Sequence, residues 1–401
     1  MKSFFKPFVA ASAVLASVSA LIAAPSPKFV APSSDFAIVT TGLDYTLTEA
    51  QRKTLEEKIK ELGLPQDADF NQDPVTFLNE KTPGLGDLYG ALTGFDAATK
   101  KAAATSMVAA IELSRTNDTI ASKIVLTVEN PKADLAQLKA SIEKIIASQP
   151  DLDCKMEQKG EWLQIIHTDA DADKPATFDG VTTIAGGYLV VSLPSYELAE
   201  TYRMGTNESI DDKHALMKAF APAAKDAPFN VNVAVKNITQ LTEKLLKPED
   251  IEDAKSRMPF LFKMADALLT LNYNETCCNL AAQITTDSEA TAQELTEMCI
   301  GYKAMMTGMI LPMALGKPES QVGNLFKKIR ITSNAAKFNL AWQLPYDDML
   351  KALKEIKEME EAQEQQAFEY ELHEDSVELD DLDDLDDLLP EDAEDVLDAI
   401  D

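Results

Sequence analysis

Residues that usually carry chemistry are scarce in this chain. Four cysteines and three histidines in 401 residues leave little from which to build a metal or thiol site. The cysteines are Cys154, the vicinal pair Cys277 and Cys278, and Cys299; His167, His214 and His373 are scattered. With no Cys-x-x-Cys spacing, a Cys/His zinc site is excluded. Four cysteines are also too few for a disulfide-built scaffold, so the fold must rest on apolar cores. Gly-x-Ser-x-Gly, a phosphate-cradling glycine loop and His-Glu-x-x-His are all missing, and with them the local signatures of several hydrolase and nucleotide sites. No basic stripe is present to displace phosphate counterions, which excludes nucleic acid as a partner.

What is abundant is acid, and it is unevenly spread. The net charge is −30. Residues 358–401 hold 21 acidic side chains and no Lys or Arg, leaving 46 acidic against 37 basic residues elsewhere, a balance of −9. Most of the excess therefore belongs to the C-terminal stretch. Within it Leu379, Leu382, Leu385 and Leu388 stand among paired aspartates, followed by Leu397 and Ile400. Leucine every third residue drifts around a helix of period 3.6, and like charges oppose an isolated helix. The stretch reads as a disordered acidic tail over 367–401, whose apolar residues serve a protein or cell-envelope partner.

The N-terminus has the opposite character. Lys2 and Lys6 precede an apolar run over 8–24 interrupted only by small residues, and Val18-Ser19-Ala20 offers a small-x-small cleavage site, with Ala23 or Ala24 as the alternative. This pattern predicts a signal peptide over 1–24, hence export to a periplasmic or extracellular site, of bacterial type, with no transmembrane segment in the mature chain. Once it is removed, about 375 residues suit two domains and a tail.

The body reads as one unit used twice. Residues 109–113 alternate like a half-buried strand, a turn follows at 116–118, and Ile120, Ile124, Leu126 and Val128 mark a second strand. A helix carries Leu135, Leu138, Ile142 and Ile145. The pattern returns with a strand at 267–271, Cys278, Leu280, Ala282 and Ile284 on the next, and a helix carrying Leu295, Cys299 and Tyr302. Strands at 162–166 and 187–193 are matched by those at 329–331 and 338–344, each set ending in Leu-Pro (Pro194, Pro345) before a helix. A strand and helix lead each half: 36–41 with 47–62, and 229–235 with 238–246. The expected fold class is α+β: two similar antiparallel-sheet and helix units, each strand-strand-helix-strand-strand-helix, over 34–204 and 228–366. Residues 205–227 link them. Equivalence is expected between Ile111 and Leu269, Leu113 and Leu271, Leu126 and Ile284, Leu138 and Leu295, and Leu189 and Leu340.

Few residues invite a chemical reading. Asp169, Asp171 and Asp173 alternate in a loop closed by Asp179, an arrangement that offers a hard cation several oxygens. Lys174 replaces the turn glycine of a calcium loop and Gly180 its bidentate Glu, so any Ca²⁺ site here is weak. No other cofactor is implied. Ser141-Ile142-Glu143-Lys144 fits an acylating Ser-x-x-Lys spacing but lies inside an amphipathic helix. Cys278 and Cys299 fall on facing core positions of a strand and its covering helix, which predicts a disulfide after export. The resulting functional expectation is an exported, non-enzymatic binding or scaffold protein. The alternatives are a carrier of an apolar ligand, walled by Met298, Met305, Met306, Met309 and Met313, and a hydrolase whose carboxylates come from distant segments. Nothing in the sequence fixes an oligomeric state.

Overall fold

The computed structural model describes residues 25–43, 53–54, 56–58, 60, 73–96, 98–99, 101–116, 119–149, 154–167, 177–185, 188–193, 200–202, 204–221, 228–274 and 276–374. Its first half contains β1 (Phe36–Thr41), α1 (Pro74–Lys81), α2 (Leu85–Thr93), β2 (Ser106–Thr116), β3 (Thr119–Glu129), α3 (Leu135–Ser148), β4 (Cys154–Lys159), β5 (Trp162–His167), β6 (Thr177–Ala185) and β7 (Tyr188–Leu193). The second half begins with β8 (Phe229–Val235), α4 (Ile238–Leu245), α5 (Ile251–Arg257), β9 (Met264–Tyr273), β10 (Cys277–Thr286) and α6 (Glu289–Met305). It continues with α7 (Leu311–Leu315), α8 (Gln321–Lys327), β11 (Arg330–Asn334), β12 (Lys337–Pro345) and α9 (Tyr346–Glu374).

The alternation that marks the strands in sequence builds one large antiparallel sheet. Its order is β11-β12-β10-β9-β8-β1-β2-β3-β7-β6-β5-β4. Two separate sheets were expected; instead β1 and β8 pair antiparallel, Phe36 opposite Val235 and Thr41 opposite Asn230. The reason is that each leading strand would otherwise present an unpaired edge, and pairing the two edges satisfies both. Outward from this seam the order is β1-β2-β3-β7-β6 on one side and β8-β9-β10-β12-β11 on the other, with β5 and β4 added beyond β6.

The residues matched in sequence meet matched partners in the two hairpins. Ile111 faces Ile124 and Leu113 faces Ser122 in the first, while Leu269 faces Ala282 and Leu271 faces Leu280 in the second. Leu138 on α3 and Leu295 on α6 are both buried, at 2% and 6% exposure. Farther out the match slips. Leu193 stands opposite Ile124, as Leu340 stands opposite Ala282, so Leu340 takes the place of Leu193 and not of Leu189. A slip of four residues keeps the same face inward, which is why alternation alone does not detect it. The place of β11 is likewise taken by β6 and not by the strand at 162–166. Both β4 and β6 were missed: Cys-Lys-Met-Glu-Gln-Lys is mostly polar, and Asp179-Gly180 interrupts β6.

Side chains on one face of the sheet pack under α1, α2 and α3 in the first half, where Met107, Val128, Leu163 and Leu189 meet Tyr89, Leu92, Leu138 and Ile142. In the second half the same face packs under α4 and α6, with Met264, Ile284, Phe338 and Leu340 against Ile238 and Leu295. The opposite face is covered in the first half. Ala37, Val39, Val108 and Ala110 lie under Val30, Ile210, Leu216 and Ala219, and Val125 and Val190 lie under Phe29 and Tyr202. Leu216 and Ala219, within the stretch 205–227 expected to be a link, are completely buried. Asp73, Asp134 and Ser288 each accept a backbone N–H of the helix they start. The last helix runs to Glu374, eight residues into the stretch assigned to the tail, because 367–374 consists mainly of good helix formers that extend it.

Candidate functional site

Helix α6 starts as an ordinary core helix. The Ser288 hydroxyl accepts from Thr291 N at 3.2 Å, and the Asp287 carboxylate accepts from the Thr291 hydroxyl at 2.7 Å. Thr291, Ala292, Leu295 and Thr296 form the buried face, at helical spacing. Past Thr296 no residue of α6 is buried, nor is any in the turn Met306–Ile310 or in α7. The helix nevertheless continues, and Glu289–Leu315 forms 27 residues of one rod. A π-turn carries it past Pro312: Leu311 N donates to Met306 O, five residues back. Proline lacks an N–H and its ring crowds the carbonyl four residues earlier, so a widened turn is the usual accommodation. Gly316, at φ 61°, ends the rod in the left-handed conformation.

The distal half is apolar where it faces water. Ile300, Tyr302, Met309 and Met313 are 49%, 58%, 52% and 77% exposed. Ile300, Ala304, Gly301, Met305 and Tyr302 are all exposed, and at 3.6 residues per turn they sweep an arc of about 200°. A core-facing stripe needs roughly half of that. By length and composition the rod is long and apolar enough to cross a membrane. In sequence its methionines suggest the wall of an apolar pocket, and a membrane-length run is hidden because Gly301, Lys303, Thr307, Gly308 and Pro312 interrupt it.

Among the described residues, polar contacts fasten the rod on the side that this arc leaves free. Lys303 Nζ donates to Lys327 O at 2.9 Å and Ile329 O at 2.6 Å, placing a cation at the C-terminal end of α8. The buried Glu355 carboxylate accepts from Gln321 N at 2.6 Å and Val322 N at 3.2 Å, capping the start of α8, and lies 3.6 Å from Lys317. Lys328 pairs with Asp348. Trp342 Nε1 donates to Leu325 O at 2.8 Å, with its ring tilted against Phe326. Segment 317–330 is thereby held to β12 and α9 and braces the rod.

A second surface lies on the other face of the sheet. Asn230, Asn272, Asn279 and Gln343 form one row across β8, β9, β10 and β12. Asn279 Nδ2 donates to Asn272 Oδ1 at 3.1 Å, and Gln283 Nε2 to Asn339 Oδ1 at 3.0 Å. Cys277 ends the row: its Sγ lies 3.5 Å from both Asn279 Nδ2 and Gln343 Nε2, and 3.4 Å from Asn274 Oδ1. Burial pushes the Cys277 thiol up, but hydrogen bonds with Gln343, Thr276, Asn279 and Asn274 outweigh it and leave the thiol below its ordinary value. Amides can polarise a thiol but cannot take its proton, so this arrangement lacks the base of a nucleophilic pair.

The disulfide expected between Cys278 and Cys299 is not formed, and all four cysteines are free. The two residues do sit on facing sides of β10 and α6, but at different levels. A strand rises about 3.3 Å per residue and a helix 1.5 Å, so ten helical residues return only about 15 Å while Cys278 lies about 26 Å back along β10. Cys299 packs instead with Ile284 and Leu295. Burial pushes both thiols up. Cys277 is the buried member of the vicinal pair.

Of the proposed calcium ligands, Asp169, Asp171 and Asp173 lie outside the described residues. Asp179 lies within β6 and not in a loop, at a register shift where Ile165 faces Gly180 and Ile166 faces Phe178. Leu379, Leu382, Leu385, Leu388, Leu397 and Ile400 also lie outside the described residues. The Ser141 hydroxyl donates to Gln137 O and Lys144 pairs with Asp87 at 2.6 Å, which separates the acylating pair. His167 ends β5 opposite Cys154. His214 Nδ1 accepts from Leu216 N, and burial pushes its pKa down. Met305, Met309 and Met313 are exposed, whereas Met298 packs against Met264, Leu295 and Phe338.

No known protein family matches the chain, and no curated protein does. Among solved structures, crystal forms I, III and IV of the bacterial protein TP0453 are similar at TM-scores of 0.33, 0.37 and 0.36 and identities of 10%, 8% and 9%. The likeness covers 83%, 83% and 85% of this chain and 97%, 98% and 99% of those chains. Scores of this size carry neither a site nor a function across. What stands is a mixed helix and strand fold built on a large antiparallel sheet.

Proposed function

We propose that this is an exported, non-enzymatic binding protein of the cell envelope whose working surface is the distal half of the rod, residues 298–315. The observation that carries this reading is an apolar helix that leaves its own core and stays exposed over more than half its circumference. Soluble chains seldom keep such a surface without a partner for it. The side chains that might suggest catalysis are occupied structurally: Ser141 and Lys144 within and beside α3, His214 as a cap, Cys277 among amides. The amide row offers a polar face, and the acidic Leu/Asp tail is a further contact segment in this reading. The body is read as one ancestral unit duplicated and joined through β1 and β8, supported by the matched registers of the two hairpins.

A photo-crosslinking side chain placed at Met309 in exporting cells should form an adduct with an envelope component, while the same group at Gln293, on the exposed polar half of α6, should not. Equal labelling at the two positions would defeat the reading.

A further inference from the structure

We propose that residues 298–315 insert into a phospholipid bilayer and seat the protein on a membrane by this one element. The inference rests on the reading of the distal rod as the working surface and names what covers it.

Four observations favour lipid over a protein partner. The first is the width of the exposed apolar arc, about 200° on Ile300, Gly301, Tyr302, Ala304 and Met305. A second copy or a helix in a groove covers one stripe, whereas acyl chains can cover the whole of the arc that the brace leaves open. The second is length. Eighteen residues at 1.5 Å each give about 27 Å, close to the hydrocarbon thickness of about 30 Å. The third is the distribution of acid. In a chain of net charge −30, no Asp or Glu occurs over 298–318, and a carboxylate is among the costliest groups to bring into hydrocarbon.

The fourth is charge alongside the distal half of the rod. Over 298–330 there are five basic residues, Lys303, Lys317, Lys327, Lys328 and Arg330, against one acid, Glu319. Lys317 and Lys328 answer to Glu355 and Asp348. Among the described residues Lys303, Lys327 and Arg330 have no carboxylate at ion-pair distance. They complement the phosphate groups that border a bilayer. Lys303 lies on the braced side of the rod, its ammonium held by two carbonyls and turned away from the apolar arc. The π-turn and Pro312 fit this setting, since the freed carbonyl is re-satisfied by a local change of helix type.

The test uses the full mature chain and vesicles of phosphatidylcholine with phosphatidylglycerol, separated by flotation on a density gradient. The chain should float with the vesicles. A Met305→Glu/Met309→Glu/Met313→Glu chain, altered only at exposed positions, should remain soluble and folded by circular dichroism and float at least tenfold less. Met309→Trp should be quenched by lipids brominated on their acyl chains, and Gln293→Trp should not. Failure of the unaltered chain to float, equal flotation of the two chains, or an unquenched tryptophan at 309 would overturn the proposal. A soluble oligomer that the triple variant dissolves, without flotation, would assign the rod to a second copy; a protein adduct at Met309 would assign it to a protein. In both cases the lipid assignment fails and the rod remains a binding surface. Equal crosslinking at Met309 and Gln293 would remove the binding surface itself.

Discussion

Helices α3 and α6 occupy the same place in the two halves and end differently. Each follows a hairpin of matched register and buries one leucine, Leu138 or Leu295, against the same face of the sheet. Helix α3 stops after 14 residues, and its exposed side is small or polar: Ala136, Gln137, Ala140, Glu143, Lys144 and Ala147. The rod begun by α6 runs for 27 residues and becomes apolar where the core stops. Amphipathicity explains the first helix, because its stripe matches the surface it covers. It does not explain the second, whose apolar residues continue past any surface of its own. The brace differs as well. In the first half Asn79 Oδ1 accepts from Gly84 N and Gly86 N and caps α2. In the second half Glu355 caps α8 and also reaches Lys317, just past the distal end of the rod.

The largest expected effect tests whether the proximal half of α6 is seated as firmly as α3. Leu138→Ala and Leu295→Ala should each cost about 2–5 kcal/mol in denaturant unfolding, since each leaves a cavity in a packed face. A cost below about 1 kcal/mol at Leu295 alone would mean that α6 is held by something other than its core face, and the comparison would break.

A smaller loss is expected at the brace. Glu355→Ala leaves Gln321 N and Val322 N without their acceptor in a half-buried setting, which costs about 1–3 kcal/mol. Hydrogen exchange should rise in 317–330 and in the rod while α3 stays unchanged. Uniform loosening of both halves would show that the brace is not local to the rod.

The smallest effect concerns acid. Hydrogen bonding to Lys144, then to Asn79, holds Asp87 below its ordinary value, and Thr76 does the same for Asp73 in the first half, as Thr291 does for Asp287 in the second. A carboxylate depressed in the folded state stabilises above its unfolded pKa, and that stability is lost as pH falls through the folded value. The melting temperature should therefore hold near neutrality and fall below about pH 4. Asp87→Asn should flatten the fall by under about 1 kcal/mol, because the Lys144 pair is half exposed and screened. A steeper fall in Asp87→Asn would reverse the assignment.

Much of this protein was legible residue by residue. Alternation at Ile111, Leu113, Leu126, Leu269, Leu271 and Ile284 determined strands, faces and the α+β class, because burial of one side of a sheet imposes a period of two. Caps were legible only in part: Ser288 starts α6, but Asn130, which reads as the cap of α3, instead donates to Ala91 O and Leu92 O, and Asp134 takes the cap because it lies within reach of Ala136 N. These are local requirements, and a linear text can carry them.

Tertiary structure alone decided the rest. Whether β1 and β8 close two sheets or join one depends on two edges far apart in sequence, and register along β7 and β12 depends on partners that periodicity does not name. Cys278 and Cys299 share a face yet lie at different levels, because strand and helix rise unequally. The rod shows the limit most clearly. Met305, Met309 and Met313 read as the apolar wall of a pocket from their composition, and only the place where the sheet beneath them ends turns them outward, since burial is set by what lies opposite a side chain and not by the side chain itself.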